Sequence, residues 1–221
     1  MPWPMVHFAI AEQLYVTDPT PHFLLGSIAP DAIHMREHAT REHKGVTHLV
    51  CEGKLPSIEQ LRNHCLNYWK LNHNNAWKDY ILGYFAHLYA DLRWTETVYA
   101  DFDANYQGRN EDKRRLYTKE VSQVEFDYLK AEGWPHRVIK QLKQAEAFTI
   151  EPFVTESEVL QYRDVKIEWL RNDRNEPKIS PKYFTKIRVD QFVKSTSDEL
   201  NQLYKEWAVG SAEMVSGRFR E

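Results

Sequence analysis

The chain has 221 residues, of which 42% are hydrophobic, 13% aromatic and 28% charged, the balance expected of a water-soluble globular protein of one domain. Lys and Arg number 29 against 32 Asp and Glu, a net charge of -3, which argues against an extended nucleic-acid-binding surface. With 8 Gly and 2 Cys, neither a β-rich fold of tight turns, nor a glycine-rich dinucleotide loop, nor a disulfide scaffold is expected.

The pattern along the chain is helical. Apolar spacing predicts a first helix over residues 5–15, then a Pro-rich stretch with Pro19, Pro21, Gly26 and Pro30. Residues 32–47 are polar and His-rich and read as a long loop with one helical turn. Ser57 followed by Gln60 resembles a capping box opening a helix over 58–72. Residues 76–100 form the strongest segment. There Trp77, Ile81, Tyr84, Phe85, Leu88 and Leu92 recur every three or four positions and apolar residues fill other faces too, so a nearly buried central helix is expected. Further helices are expected over 111–130, 136–147, 156–170 and 185–208, the last with Ile187, Phe192, Val193, Leu200, Leu203 and Trp207 on its apolar face. The expected organisation is a single helical domain over residues 1–209 with a frayed C-terminal tail over 210–221.

No apolar run reaches the length a membrane span needs. The opening MPWPMVHFAIAEQL has no Lys or Arg before its apolar stretch and no small-residue cleavage site, so it does not read as a signal peptide. Together with two cysteines expected to stay reduced, this gives a cytoplasmic location as the expectation.

The distinctive feature is histidine: of 10, all but His136 lie within the first 87 residues. In GYFAHLYAD, His87 and Asp91 are four apart, so a helix places them on one face, one turn apart, close enough to hold one metal ion. Gly83 precedes His87 by one turn, and its missing side chain would let another backbone approach. Buried His and Asp are costly unless they pair or bind metal. Asp31 follows Pro30 in SIAPDA, His7 lies on the apolar face of the first helix, and His48 closes the His-rich loop. Carboxylate oxygen with imidazole nitrogen suits Zn²⁺, with Mn²⁺ or Fe²⁺ as alternatives. Arg36 and Lys44 could hold a phosphate oxygen, and His34 could support the site or protonate a leaving group. His38 and His43 read as solvated, and the Trp69, Trp77 and Trp94 group as core, with Trp94 a candidate wall of the cleft.

These residues resemble the zinc-dependent phospholipase C family, related to zinc-dependent single-strand nucleases, and more specifically its short, signal-less, phospholipase C/D-like branch. The resemblance rests on PMVHFAIA around His7, FLLGSIAPDA around Asp31, THL around His48 and GYFAHLYAD around His87 and Asp91, across residues 1–99. It implies an all-α, multi-helix fold and one or two zinc ions. Asp31, His48, His87 and Asp91 would match the ligands of one ion, and His7 with a bridging Asp91 would match part of a second. Asp31 also matches the residue that orients or deprotonates the attacking water. In the secreted enzymes a mature N-terminal tryptophan supplies a metal-binding amine, whereas Trp3 lies four residues before His7. Their third zinc uses later histidines, of which this chain has only His136.

The expected function is metal-dependent hydrolysis of a small phosphate ester, above all a phosphodiester. A helical binding or regulatory protein with a structural or sensing metal site is the alternative. An HD-type phosphohydrolase is disfavoured because no His-Asp dipeptide occurs.

Overall fold

A computed structural model describes residues 2–210, so the part of the expected tail from 211 onward lies outside the described residues. Among the described residues ten α-helices follow one another: α1 Pro4–Leu14, α2 Pro21–Gly26, α3 Arg41–Thr47, α4 Ile58–Trp69, α5 Asn75–Trp94, α6 Ala100–Asn105, α7 Asn110–Leu129, α8 Trp134–Leu142, α9 Glu156–Arg171 and α10 Lys186–Glu206. Among the described residues there are no strands, only two isolated bridges, Cys51 with Lys54 and Ile150 with Val154. The all-α expectation holds.

Local chemistry sets the helix starts. The side chains of Thr20, Thr40, Ser57, Asn74 and Thr155 each accept a hydrogen bond from a backbone N–H of the helix they precede. The Ser57–Gln60 capping box is present in both directions, with the Gln60 side chain accepting from Ser57 N at 2.8 Å. Pro4, Pro21 and Pro135 occupy the first turns of α1, α2 and α8, where a missing N–H costs nothing.

Three expectations are corrected. Residues 32–47 are more ordered than a loop. A 3₁₀ segment, Ala29–Met35, carries Asp31, and α3 follows it, with His43 accepting from Thr40 N to complete a capping box. The strong segment over 76–100 is not one continuous α-helix. α5 ends at Trp94 and passes through a π-helical turn, Thr95–Tyr99, into α6. Thr95 and Thr97 there turn their hydroxyls back onto the carbonyls of Asp91 and Arg93 (2.8 and 2.6 Å), which loosens the regular ladder. Phe192, Val193 and Leu200 of α10 and Trp207 at its C-cap are buried as expected, but Ile187 is 72% exposed, turned away from the buried face to which Val189 belongs.

α5 runs through the centre. Its residues from Tyr80 to Leu92 are all buried, and the core around it includes residues from Met5 to Trp207. Two glycines let α2 lie directly on it. A Cβ on Gly83 would overlap the carbonyl oxygen of Phe23, and one on Gly26 would overlap that of Tyr80. α1 packs between α10 and α7, and α9 covers the 3₁₀ segment.

Candidate metal centre

The close crossing of α2 and α5 fixes the first candidate ligand, His87. It brings the carbonyl of Ser27 to 2.8 Å from His87 Nδ1, so that nitrogen carries the proton and Nε2 keeps its lone pair. His48, at the C-terminal end of α3, is held in the same manner: its Nδ1 meets Thr47 Oγ1 at 2.8 Å and the Lys44 carbonyl at 3.0 Å. Tyr84 of α5 donates to the Thr47 carbonyl at 2.7 Å and ties the end of α3 to the central helix. His7 comes from the buried α1 and stacks on His87, with ring centroids 4.1 Å apart and 11° between planes.

These elements bring His7, Asp31, His48, His87 and Asp91 into one cluster. Asp91 presents Oδ1 to His7 Nε2 at 3.8 Å and Oδ2 to His48 Nε2 at 3.4 Å and His87 Nε2 at 3.5 Å. Asp31 Oδ1 lies 3.5 Å from His48 Nε2. Their potential ligand atoms form two overlapping triads that share His87: His7, His87 and Asp91, and Asp31, His48 and His87.

The residues fit a transition metal on two counts. The Nε2 atoms of His7, His48 and His87 and both oxygens of Asp91 are buried without a hydrogen-bond partner, and such a concentration of unsatisfied ligand atoms in one place is what a bound ion would satisfy. The separations are also too long for N–H···O hydrogen bonds. They match the spacing of about 3.4 Å between neighbouring ligands of a tetrahedral ion with bonds of about 2.1 Å.

The electrostatics agree with a neutral His7 facing ionised carboxylates. Burial, with the neighbouring His87, holds His7 down to about 3, so it stays neutral at neutral pH. Burial disfavours charge on Asp91 and Asp31. The imidazoles around Asp91 outweigh this and hold its carboxyl well below the usual range, and His48 with Lys44 do the same for Asp31. His48, also penalised by burial, is nevertheless raised by the two carboxylates that face it. Two ionised carboxylates beside three imidazoles give the cluster a negative balance that a cation could offset.

The cluster reaches solvent on one side. The side chains of His7, His48, His87 and Asp91 are sealed, whereas that of Asp31 is 13% exposed. Lys44 stands at this opening, with Nζ 2.8 Å from Asp31 Oδ1 and 3.3 Å from His34 Nε2. His34 is half exposed, and burial of its other half lowers its pKa. Arg36 does not join them. Its guanidinium donates to both oxygens of Glu158, at 2.7 and 3.1 Å, and to the Phe153 carbonyl. Trp94 does not wall the cleft either, since it is fully buried and stacked on Phe184. A separate groove of about 1040 Å³, lined by Leu49, Leu55, Tyr89, Arg93 and Glu199 among others, includes none of the five cluster residues.

Three residues at the site are not apparent from local sequence. Tyr162 of α9 points its hydroxyl at Asp31 Oδ2 from 3.5 Å. Lys166, one turn on, lies over the Tyr162 and Trp3 rings. Glu125 of α7 accepts from Met5 N at 3.1 and 3.2 Å and so caps α1, the helix that carries His7. Helical spacing marks Tyr162 as core, and nothing nearby distinguishes it further. No family model matches the chain, and comparison with curated proteins and with solved structures gives no match.

Proposed function

We propose that the chain is a metal-dependent hydrolase of phosphate esters, above all phosphodiesters, holding one or two zinc ions in the manner its resemblance to phospholipase C-like proteins implies. The observation that carries this reading is the set of buried, partnerless Nε2 and Oδ atoms contributed by His7, His48, His87 and Asp91. Such an ion supplies Lewis acidity and allows water to act as a nucleophile near neutral pH.

The remaining roles belong to the chain itself. His7, Asp31, His48, His87 and Asp91 would hold the metal, and the Ser27 and Thr47 contacts fix which nitrogen of His87 and His48 faces it. Asp31, reachable from solvent, accepts the proton of the attacking water. Lys44 binds a non-bridging oxygen of the phosphate at the mouth. His34, whose Nε2 faces the Lys44 ammonium at 3.3 Å, helps to hold that lysine at the mouth. Turnover of bis(4-nitrophenyl) phosphate with added Zn²⁺ or Mn²⁺ tests the reading. His87→Ala is expected to abolish it, and activity that survives this substitution removes the assignment.

A further inference from the structure

The mouth of the cluster carries a charge arrangement that the hydrolysis of a simple diester does not need. Two ammonium groups stand there. Lys44 is paired with Asp31. Lys166 lies 5.4 Å from the centroid of the Trp3 ring and 5.2 Å from that of Tyr162, and among the described residues no carboxylate forms an ion pair with it. Among the described residues, Arg36 and Arg93 are half-buried cations matched by Glu158 and Glu199, whereas Lys78 over the Trp69 ring is like Lys166 in having no ion pair, though it lies away from the cluster.

The carboxyl of Glu125 feels Lys166, yet it is turned onto the start of α1, and burial pushes it up to about 8. It therefore leaves the ammonium largely uncompensated at neutral pH. Lys166 also acts on His34, and the Tyr162 hydroxyl touches Asp31, so this ammonium stands one phenol ring away from the reacting centre.

Two aromatic faces around an ammonium form the kind of cage that binds quaternary amines. Here the Trp3 and Tyr162 faces are already occupied by the protein's own lysine. A cationic ester arm would have to displace Lys166 and would be repelled by it, whereas an anionic arm would meet a partly desolvated, unpaired donor.

We propose that Lys166, presented by Trp3 and Tyr162, is a specificity determinant that selects phosphodiesters bearing a second anionic group on the arm beyond the phosphate, and rejects those with a cationic arm. This rests on the hydrolase reading above and narrows its substrate class.

Three diesters of one frame test it: 4-nitrophenyl phosphates whose second arm is ethyl, 2-carboxyethyl or 2-(trimethylammonio)ethyl. The expected order of kcat/KM is carboxyethyl over ethyl over trimethylammonioethyl. The first step should be about tenfold, the scale of a charge-assisted hydrogen bond, and carried in KM. Lys166→Gln should compress the series to within about twofold, and Lys166→Arg should restore it. A wild-type series that is flat or reversed overturns the proposal, as does a preference that survives Lys166→Gln.

A binding arm separates this from failure of the hydrolase reading. In calorimetric titration with Zn²⁺ present, 3-phosphonopropionate should bind about tenfold more tightly than propylphosphonate, and Lys166→Gln should erase the difference. If no diester is turned over but this preference holds, the mouth is as proposed and the catalytic reading fails. Equal affinities reject the proposal regardless of activity.

Discussion

His7 and His87, carried by different helices, lie face to face at 4.1 Å with their Nε2 atoms buried and unpartnered. Burial together with His87 keeps His7 neutral, held down to about 3, and His87 directs its Nδ1–H to the Ser27 carbonyl. The pair is therefore arranged as lone-pair donors, with Asp91 facing both rings.

Asp91 and Asp31 differ in what they depend on. Both oxygens of Asp91 lack a protein partner, whereas Asp31 has Lys44 at 2.8 Å and Tyr162 at 3.5 Å. Asp91→Asn should therefore lower the metal content of protein purified without an affinity tag far more than Asp31→Asn does. Elemental analysis checks this, and equal losses would contradict the proposed division of roles.

Removing the ion should also destabilise the fold, because it leaves five buried polar atoms unsatisfied. At a thousandfold excess of free metal over Kd the linkage is about 4 kcal/mol, which for a chain of this size is roughly 10 °C in Tm. Thermal unfolding with and without a chelator measures it, and a Tm that does not respond contradicts a resident metal.

Gly83→Ala isolates the contact between α2 and α5. In an ordinary helix the substitution would stabilise by about 1 kcal/mol. Here the new methyl meets the Phe23 carbonyl, backbone that cannot swing aside, so a loss of about 3 kcal/mol is expected instead. Because the same contact holds Ser27 against His87, metal content should fall along with stability. A stabilised variant with full metal would refute the role given to this crossing.

Glu125 should give stability a pH dependence. Burial raises it from 4.5 to about 8, so across that window the folded chain keeps a proton that the unfolded chain releases. Its contribution is complete below the unfolded value and is lost as pH rises through about 8. Urea unfolding at about pH 5 and about pH 9 should show wild type losing more stability than Glu125→Gln, which cannot titrate. Parallel losses in the two proteins would contradict this.

How much could be read from sequence depended on whether the relevant partner was near in the chain. The Ser57–Gln60 cap and the close approach at Gly83 were legible because each follows from a residue type in a fixed local spacing. Lys44 and Arg36 looked equivalent, two cations in one His-rich stretch. What separates them is Glu158, on a helix far along the chain, which engages Arg36 and leaves Lys44 at the mouth. Tyr162, Lys166 and Glu125 reach the site only through packing of α9 and α7, and the π-helical turn after α5 changes hydrogen-bond register without changing the apolar pattern.

The account turns on an ion among these side chains. The most direct measurement is an anomalous difference map, recorded at the zinc edge, from crystals of the protein grown with Zn²⁺. The expected result is a peak at about 2.0–2.2 Å from His48 Nε2, His87 Nε2 and an Asp91 oxygen. A map without density among these atoms, or with zinc bound only elsewhere, would contradict it.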